Sequence, residues 1–113
     1  MKYLLSPAVK VEFGYRIDPE TISYVQRDYY SENDSIALIA YNNNDEMISN
    51  ITVNVPETYL LAENQFFLND SATAQSFKSF AQKNGYIQSI GMISNFGYKA
   101  YELTSKFETL AIK

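Results

Sequence analysis

Residues 36–55 have the sequence IALIAYNNNDEMISNITVNV, in which an apolar run, a polar turn and a second strand-like run follow one another. Its first six residues are a short apolar run, which is typical of a buried β-strand. Asn and Asp at 42–45 tolerate left-handed backbone and hydrogen-bond their own main chain, so they predict a hairpin connection. Residues 47–55 then predict the returning strand, which Pro56 ends because proline has no N–H for a strand ladder.

A helix is predicted on the C-terminal side of this hairpin. Ser71 and the two polar residues before it can accept hydrogen bonds from the free N–H groups of a first helical turn. Phe77 and Phe80 recur at helical spacing together with alanines, which predicts one buried stripe. Gly85 suits the left-handed conformation that often ends helices. The expected helix covers about residues 71–84.

Period-two alternation and short apolar runs predict further strands. They cover residues 1–17, 65–68, 86–94 and 98–103, with polar turns at 31–34 and 95–97. Residues 21–30 fit a short helix through the spacing of Ile22, Val25 and Tyr29, but their β-formers favour a strand or an irregular segment. Residues 104–113 fit either a last strand or a partner contact. Because most connections are short, we expect an α+β fold in one domain of residues 1–113. It has an antiparallel sheet of about five strands with the helix on one face.

The chain has no His, no Cys and no Trp. Without cysteine it has no disulfide framework and no zinc–thiolate site. Without His or Cys it also lacks the residues most used as nucleophile, base or metal ligand. The catalytic groups that remain are paired carboxylates, a Ser–Lys pair or a Tyr acid.

Two groups of residues offer such chemistry, but neither has a spacing that fixes a catalytic geometry. The acidic residues between 28 and 34 supply carboxylates, and a solvated polar loop explains them better than a glycosidase-like pair does. Ser76 or Ser79 with Lys83 supplies a Ser–Lys pair, and ordinary polarity of a helix surface explains it better. We therefore expect no catalytic residues, no metal site and no cofactor.

The absence of cysteine suits the reducing cytosol, so we expect a cytoplasmic protein. Residues 1–12 break at Pro7 and then carry charges, so they lack the apolar core of about 7–15 residues that a secretory signal needs. No stretch approaches the roughly 20 apolar residues of a membrane span. We expect no contact with a membrane.

Charge is distributed unevenly along a chain whose formal net charge is −4. Residues 12–70 carry eleven acidic side chains against Arg16 and Arg27, whereas both flanking segments are net positive. The cations are single and spaced, unlike the clustered footprint of a nucleic-acid binder, so we expect no direct binding of nucleic acid. The acidic half suits a basic partner, because complementary fields raise encounter rates.

Tyrosines lie among these acids, and Tyr is enriched at protein interfaces. The predicted protein-binding residues are Tyr24, Asp28, Tyr29, Tyr30, Glu32 and Asp34. An alternative remains open, in which the acids only keep the domain soluble. In that alternative the tyrosines fill the half-buried faces of a small sheet.

Four features between residues 36 and 103 occur in the same order in a known family. They are the strand Ile36–Tyr41, the run TVNV at 52–55, the run FFLND at 66–70 before a helix, and Gly97-Tyr98 with Tyr101. In these features the chain resembles a small family of uncharacterised proteins from phages and mobile elements of Gram-positive bacteria. The resemblance implies a phage or plasmid accessory role and supplies no catalytic residues.

The preferred hypothesis is a non-enzymatic accessory protein that binds another protein in the cytoplasm of an infected host. Its concrete form is an inhibitor of a bacterial immune nuclease, similar in role to anti-CRISPR proteins. The partner is then a basic, nucleic-acid-binding host protein, and we expect the chain to be a monomer or a homodimer. The alternatives are a small structural or assembly protein and a carboxylate-based hydrolase.

Overall fold

The structure of the protein is a computed structural model that describes residues 1–12 and 20–112. The described part contains nine strands, two α-helices and a 3-10 helix over Pro56–Leu60. In chain order the strands and α-helices are β1 (Lys2–Lys10), β2 (Thr21–Tyr29), β3 (Ile36–Tyr41), β4 (Met47–Asn50), β5 (Thr52–Val53), β6 (Gln65–Leu68), α1 (Ala72–Lys83), β7 (Ile87–Ile93), β8 (Lys99–Leu103), α2 (Ser105–Glu108) and β9 (Ala111–Ile112).

The strands form two sheets in which every described pairing is antiparallel. The first sheet has five strands in the order β4-β3-β2-β1-β9, and the second has four in the order β5-β6-β8-β7. The predicted α+β fold, with an antiparallel sheet of about five strands and one main helix, is confirmed. The division of the strands into two sheets goes beyond that prediction, because it depends on long-range pairing.

The hydrophobic core joins both sheets and α1. Val25 of β2 lies between Tyr3 of β1 and Ala40 of β3, and all three residues are buried. Phe66 of the second sheet and Phe77 of α1 belong to the same buried cluster. Residues directly opposite on neighbouring strands share one face of a sheet. The face that carries Tyr3, Val25 and Ala40, the inner face, is therefore the one that packs into the core.

Helix α1 forms where the sequence predicts a helix. The Oγ of Ser71 accepts a hydrogen bond from the backbone N–H of Ala74 at 3.1 Å, so Ser71 caps the first turn. Phe77 is fully buried, as the predicted apolar stripe requires, whereas Phe80 is only partly buried against the core. After the last turn Gly85 has a φ of 77°, a left-handed conformation that glycine adopts without a steric penalty.

The predicted hairpin is confirmed for β3 and β4. The Oδ1 of Asn42 accepts hydrogen bonds from the N–H groups of Asn44 and Glu46, at 2.9 and 3.0 Å. Asp45 takes the left-handed conformation expected in this connection, with a φ of 61°. The turn is thus closed by the side-chain-to-backbone bonds that its composition predicts.

The prediction of one continuous strand over residues 47–55 is wrong. β4 and β5 lie in different sheets, and Ile51 separates them. The N–H of Ile51 donates to the carbonyl of Leu38 and its own carbonyl accepts from Asn69, each at 2.8 Å. The Ile51 side chain is fully buried. The chain therefore changes sheets at a core residue, which side-chain alternation alone does not reveal.

The remaining strand predictions have definite outcomes in the described residues. Of residues 21–30, Thr21–Tyr29 form a strand, β2, so the helical alternative is wrong. β2 is the middle strand of the five-stranded sheet. The predicted strands at 65–68, 86–94 and 98–103 are confirmed as β6, β7 and β8, and turns follow β2 and β7 as expected. Of the strand predicted over 1–17, β1 covers Lys2–Lys10, while Phe13 and Tyr15 lie outside the described residues.

Residues 104–112 are ordered against β1 and β2 and include the last strand, β9. The Phe107 ring is fully buried and lies 4.3 Å from the Tyr3 ring, centroid to centroid. The Glu108 carboxylate accepts hydrogen bonds from Arg27 Nη1 at 2.8 Å and from the Tyr3 hydroxyl at 3.2 Å. Burial lowers the pKa of Arg27, but its contacts with Tyr3, Tyr29 and Glu108 raise that pKa above the ordinary value.

We expect Phe107→Ala to lower the free energy of unfolding by about 3–5 kcal/mol, because it removes a fully buried ring and leaves a cavity. Phe96→Ala is the matched control, since the Phe96 ring is 72% exposed and its loss should change stability by no more than about 0.5 kcal/mol. Urea unfolding followed by circular dichroism measures both changes. Equal effects of the two substitutions would contradict the packing of α2 against Tyr3.

Candidate protein-binding surface

The five-stranded sheet has a second face, which points away from the core. One row of directly opposite residues crosses four strands: Leu4, Tyr24, Tyr41 and Met47. The next row crosses all five strands: Ile112, Lys2, Gln26, Ile39 and Asn50. These two rows, together with the neighbouring pair of Asp28 and Ala37, are called the outer face.

The described elements leave much of the outer face open to solvent. Leu4, Met47 and Ile112 are 47%, 57% and 47% exposed. Scattered apolar residues on a surface are normal, but here three large ones belong to two adjacent rows of one sheet. An apolar group of this kind is the part of a surface that gains most when a partner removes it from water.

Tyr24 is the structural centre of the outer face. Its ring stacks on the ring of Tyr41 with centroids 5.0 Å apart and an interplanar angle of 4°. The Lys2 ammonium lies 4.7 Å from the centroid of the Tyr24 ring. The Tyr24 hydroxyl donates a hydrogen bond to Asp45 Oδ1 at 2.8 Å, and only 8% of the residue is exposed. Tyr24 therefore supports the surface more than it offers contact area.

The environment of the Tyr24 hydroxyl disfavours its ionisation. Burial raises the pKa of Tyr24 to about 12, and the hydrogen bond to Asp45 and the negative charge of that carboxylate act in the same direction. Tyr24 is thus a neutral hydrogen-bond donor throughout the physiological pH range. The same Asp45 carboxylate lies 3.8 Å from the Lys2 ammonium, so it links two residues of the outer face.

Acidic turns flank the outer face at both ends of β3. The turn before β3 carries exposed Glu32 and Asp34, and the turn after it carries exposed Asp45 and Glu46. β3 has six residues, so these turns lie about 20 Å apart. The carbonyl of Tyr30 accepts hydrogen bonds from the N–H groups of Asn33 and Asp34, which closes the first turn. The two rows of the outer face therefore lie between two groups of carboxylates.

The structure separates Tyr24 from the other five predicted binding residues. Tyr24 and Asp28 both belong to the outer face, but Asp28 lies four positions further along β2, which is about 13 Å along the strand. Asp28, Glu32 and Asp34 are exposed near the end of β2, where the sequence predicts a binding segment. Their role in binding a partner stays a prediction.

Tyr29 and Tyr30 differ in what they can offer a partner. Tyr29 is half exposed, and the Arg27 guanidinium lies 5.8 Å from the centroid of its ring. The Tyr30 hydroxyl lies 2.9 Å from Thr52 Oγ1 in a hydrogen bond, and Thr52 is buried. Tyr30 therefore anchors the turn to the second sheet, while Tyr29 keeps an accessible ring edge.

The exposed apolar residues Leu4, Met47 and Ile112 are not among the predicted binding residues. The sequence does indicate that Leu4 is an exposed apolar residue. Residues 3–5 are all apolar, whereas a half-buried strand turns only every second side chain toward the core. Met47 and Ile112 have no such signal. They join Leu4 only through the register of β4 and β9 in the folded sheet.

No family model, curated protein or solved structure matches the chain. The resemblance to the phage and mobile-element family therefore stays an expectation. Within residues 1–12 and 20–112, no helix has both the length and the hydropathy to cross a membrane. In the same part of the chain, no group of three or more acidic side chains is arranged to hold a metal ion.

We expect the free energy of unfolding to fall as the pH rises from about 10 to about 12. The raised pKa of Tyr24 means that the unfolded chain ionises this hydroxyl first, so its contribution is complete below pH 10 and is lost above it. Tyr24→Phe should remove that part of the fall, whereas Tyr29→Phe should leave it unchanged. Urea unfolding across this pH range tests this, and identical pH profiles for Tyr24→Phe and wild type would disprove it.

Proposed function

We propose that the protein acts by binding another protein through the outer face and the two acidic turns beside it. The observation that carries this proposal is a set of three exposed apolar residues, Leu4, Met47 and Ile112, on a sheet face flanked by two groups of carboxylates. Protein interfaces commonly combine an apolar centre with a polar rim, and aromatic residues are enriched at the centre. The stacked Tyr24 and Tyr41 rings give this surface a rigid base.

The charge of the surface indicates the chemistry of the partner. Asp28, Glu32, Asp34 and Glu46 are exposed carboxylates on or beside the outer face. The Lys2 charge on this face is balanced by Asp45 at 3.8 Å. A partner that presents an apolar patch flanked by Lys and Arg would meet complementary charges at both ends, which favours fast association and a defined orientation.

The more specific form of the proposal is a phage or mobile-element protein that inhibits a host-defence nuclease. Nucleases that hold nucleic acid present lysines and arginines to its phosphates, and an acidic surface can compete for them. In this form the protein works in the cytoplasm of the host as a monomer or homodimer and makes or breaks no bonds itself. Support comes from the acidic flanks of the outer face and from the family resemblance.

Two pairs of matched double variants test the proposed surface. Asp28→Lys with Glu32→Lys changes the surface, and Glu63→Lys with Asp70→Lys changes exposed acids elsewhere. Each of these two lysine double variants raises the net charge of the chain from −4 to 0, so the variant and its control have the same overall charge. Leu4→Ser with Met47→Ser removes apolar contact area, and Ile93→Ser with Phe96→Ser is its control among exposed residues of β7 and the turn after it.

The measurement is capture of a partner by the tagged protein from a lysate of a Gram-positive bacterium, followed by titration with the purified partner. We expect both surface variants to weaken binding by about tenfold or more, equal to about 1.4 kcal/mol, and both controls to bind like wild type. Thermal unfolding verifies that every variant is folded. If surface and control variants weaken binding equally, or none does, the assignment to the outer face is wrong.

The inhibitory form needs a separate measurement. The purified chain should lower DNA cleavage by an RNA-guided nuclease of a Gram-positive host and co-elute with it in size-exclusion chromatography. The Asp28→Lys and Glu32→Lys double variant should restore cleavage, whereas the Glu63→Lys and Asp70→Lys control should not. Undiminished cleavage at a large excess of wild-type chain would reject the inhibitory form for the nuclease tested.

A further inference from the structure

A cavity of about 470 Å³ lies between β1 and α1. The β1 segment beside it leaves regular pairing with β2 between Leu4 and Val9, where four residues of β1 lie opposite one residue of β2. Pro7, Ala8 and Val9 of this bulged segment form one wall, and Phe80 of α1 contributes apolar surface to the other. No residue of the outer face lines the cavity.

Two lysines that are distant in sequence line this cavity. Lys10 comes from the end of β1, and Lys83 comes from the last turn of α1. Among the described residues, neither lysine has a carboxylate partner in an ion pair. Glu12 also lines the cavity, so the lining carries one more positive than negative charge in a chain that is acidic as a whole.

Serine hydroxyls of α1 lie in the same cavity. Ser76 is buried, and its Oγ accepts a hydrogen bond from the backbone N–H of Glu12 at 3.0 Å, which connects α1 to the end of β1. Ser79 and Lys83 are one helical turn apart and both line the cavity. The residues that the sequence offers as a Ser–Lys pair are thus part of a concave site and not of a featureless helix surface.

We propose that this cavity binds a small organic anion: a carboxylate or a phosphate monoester attached to an aromatic or aliphatic body. Its volume is in the range of small-molecule sites, and an apolar lining with a few polar groups is the usual composition of such sites. Lys10 and Lys83 receive the anionic group, and the serine hydroxyls donate to it. Pro7, Ala8 and Phe80 cover the apolar body.

The size of the cavity argues against an inorganic ion as its only occupant. A single phosphate would satisfy the lysines but would leave most of the apolar wall in contact with water. An attached ring or alkyl group gains from leaving water against Pro7, Ala8 and Phe80. The site is independent of the proposed protein-binding function, because the two surfaces share no residue.

The test is a titration of the ¹⁵N-labelled full chain, followed by ¹H–¹⁵N correlation NMR. The probes are phenyl phosphate, phenylacetate and neutral benzyl alcohol. We expect saturable chemical-shift changes of the Ala8, Ser79 and Phe80 amides with at least one anion. The neutral alcohol should bind at least about tenfold more weakly than that anion. The stronger of the two anions identifies the phosphate or the carboxylate as the preferred group.

Charge removal on α1 provides the matched control. Lys83→Gln should weaken binding of the preferred anion about fivefold or more, equal to about 1 kcal/mol, while Lys78→Gln on the same helix but outside the cavity should not. Lys10→Gln, on the opposite wall, should repeat the loss independently of α1. Absence of saturable shifts, equal binding of the alcohol, or wild-type affinity in both Lys83→Gln and Lys10→Gln would overturn the proposal.

Discussion

In β2, Val25 packs into the core while its neighbour Tyr24 supports the outer face, because successive side chains of a strand point to opposite sides. β2 is the middle strand of the larger sheet, so its register with β1 and β3 sets both faces of that sheet at once. A shift of one residue would expose Val25 and bury the outer-face residues. The core and the proposed binding surface are therefore two consequences of the same pairing.

The segment around Phe107 is a second point where stability and surface are connected. Phe107 packs on Tyr3 in the core, and Glu108 binds both Arg27 and Tyr3 at the edge of that core. These contacts hold residues 104–112 against the sheet and so position Ile112 at the end of an outer-face row. Part of the proposed binding surface thus depends on packing on the opposite side of the sheet.

The outer face and the cavity between β1 and α1 differ in charge and in shape. The outer face and its turns are acidic around an apolar centre, which suits a protein with basic flanks. The cavity between β1 and α1 has an excess positive charge and the volume of a small-molecule site. Exposed carboxylates thus flank the outer face, whereas the lining of the cavity carries two lysines and one glutamate.

The local elements of this protein follow from the sequence by itself. The apolar run Ile36–Tyr41, the Asn-rich turn after it and the capped helix α1 each depend on neighbours within a few residues. These elements can therefore be predicted from residue spacing and capping chemistry before any fold is known. The acidic character of residues 12–70 and the absence of His and Cys are equally properties of the sequence.

Which of these elements come into contact depends on the tertiary fold. Contacts between distant segments produce the change of sheet at Ile51 and the hydrogen bond from Tyr24 to Asp45. The same kind of pairing places Leu4 and Met47 in one row that crosses four strands. The cavity that contains Lys10 and Lys83 arises in the same way. The physical reason is that strand pairing and core packing select partners far apart in the chain, whereas propensities and turn chemistry act only on neighbours.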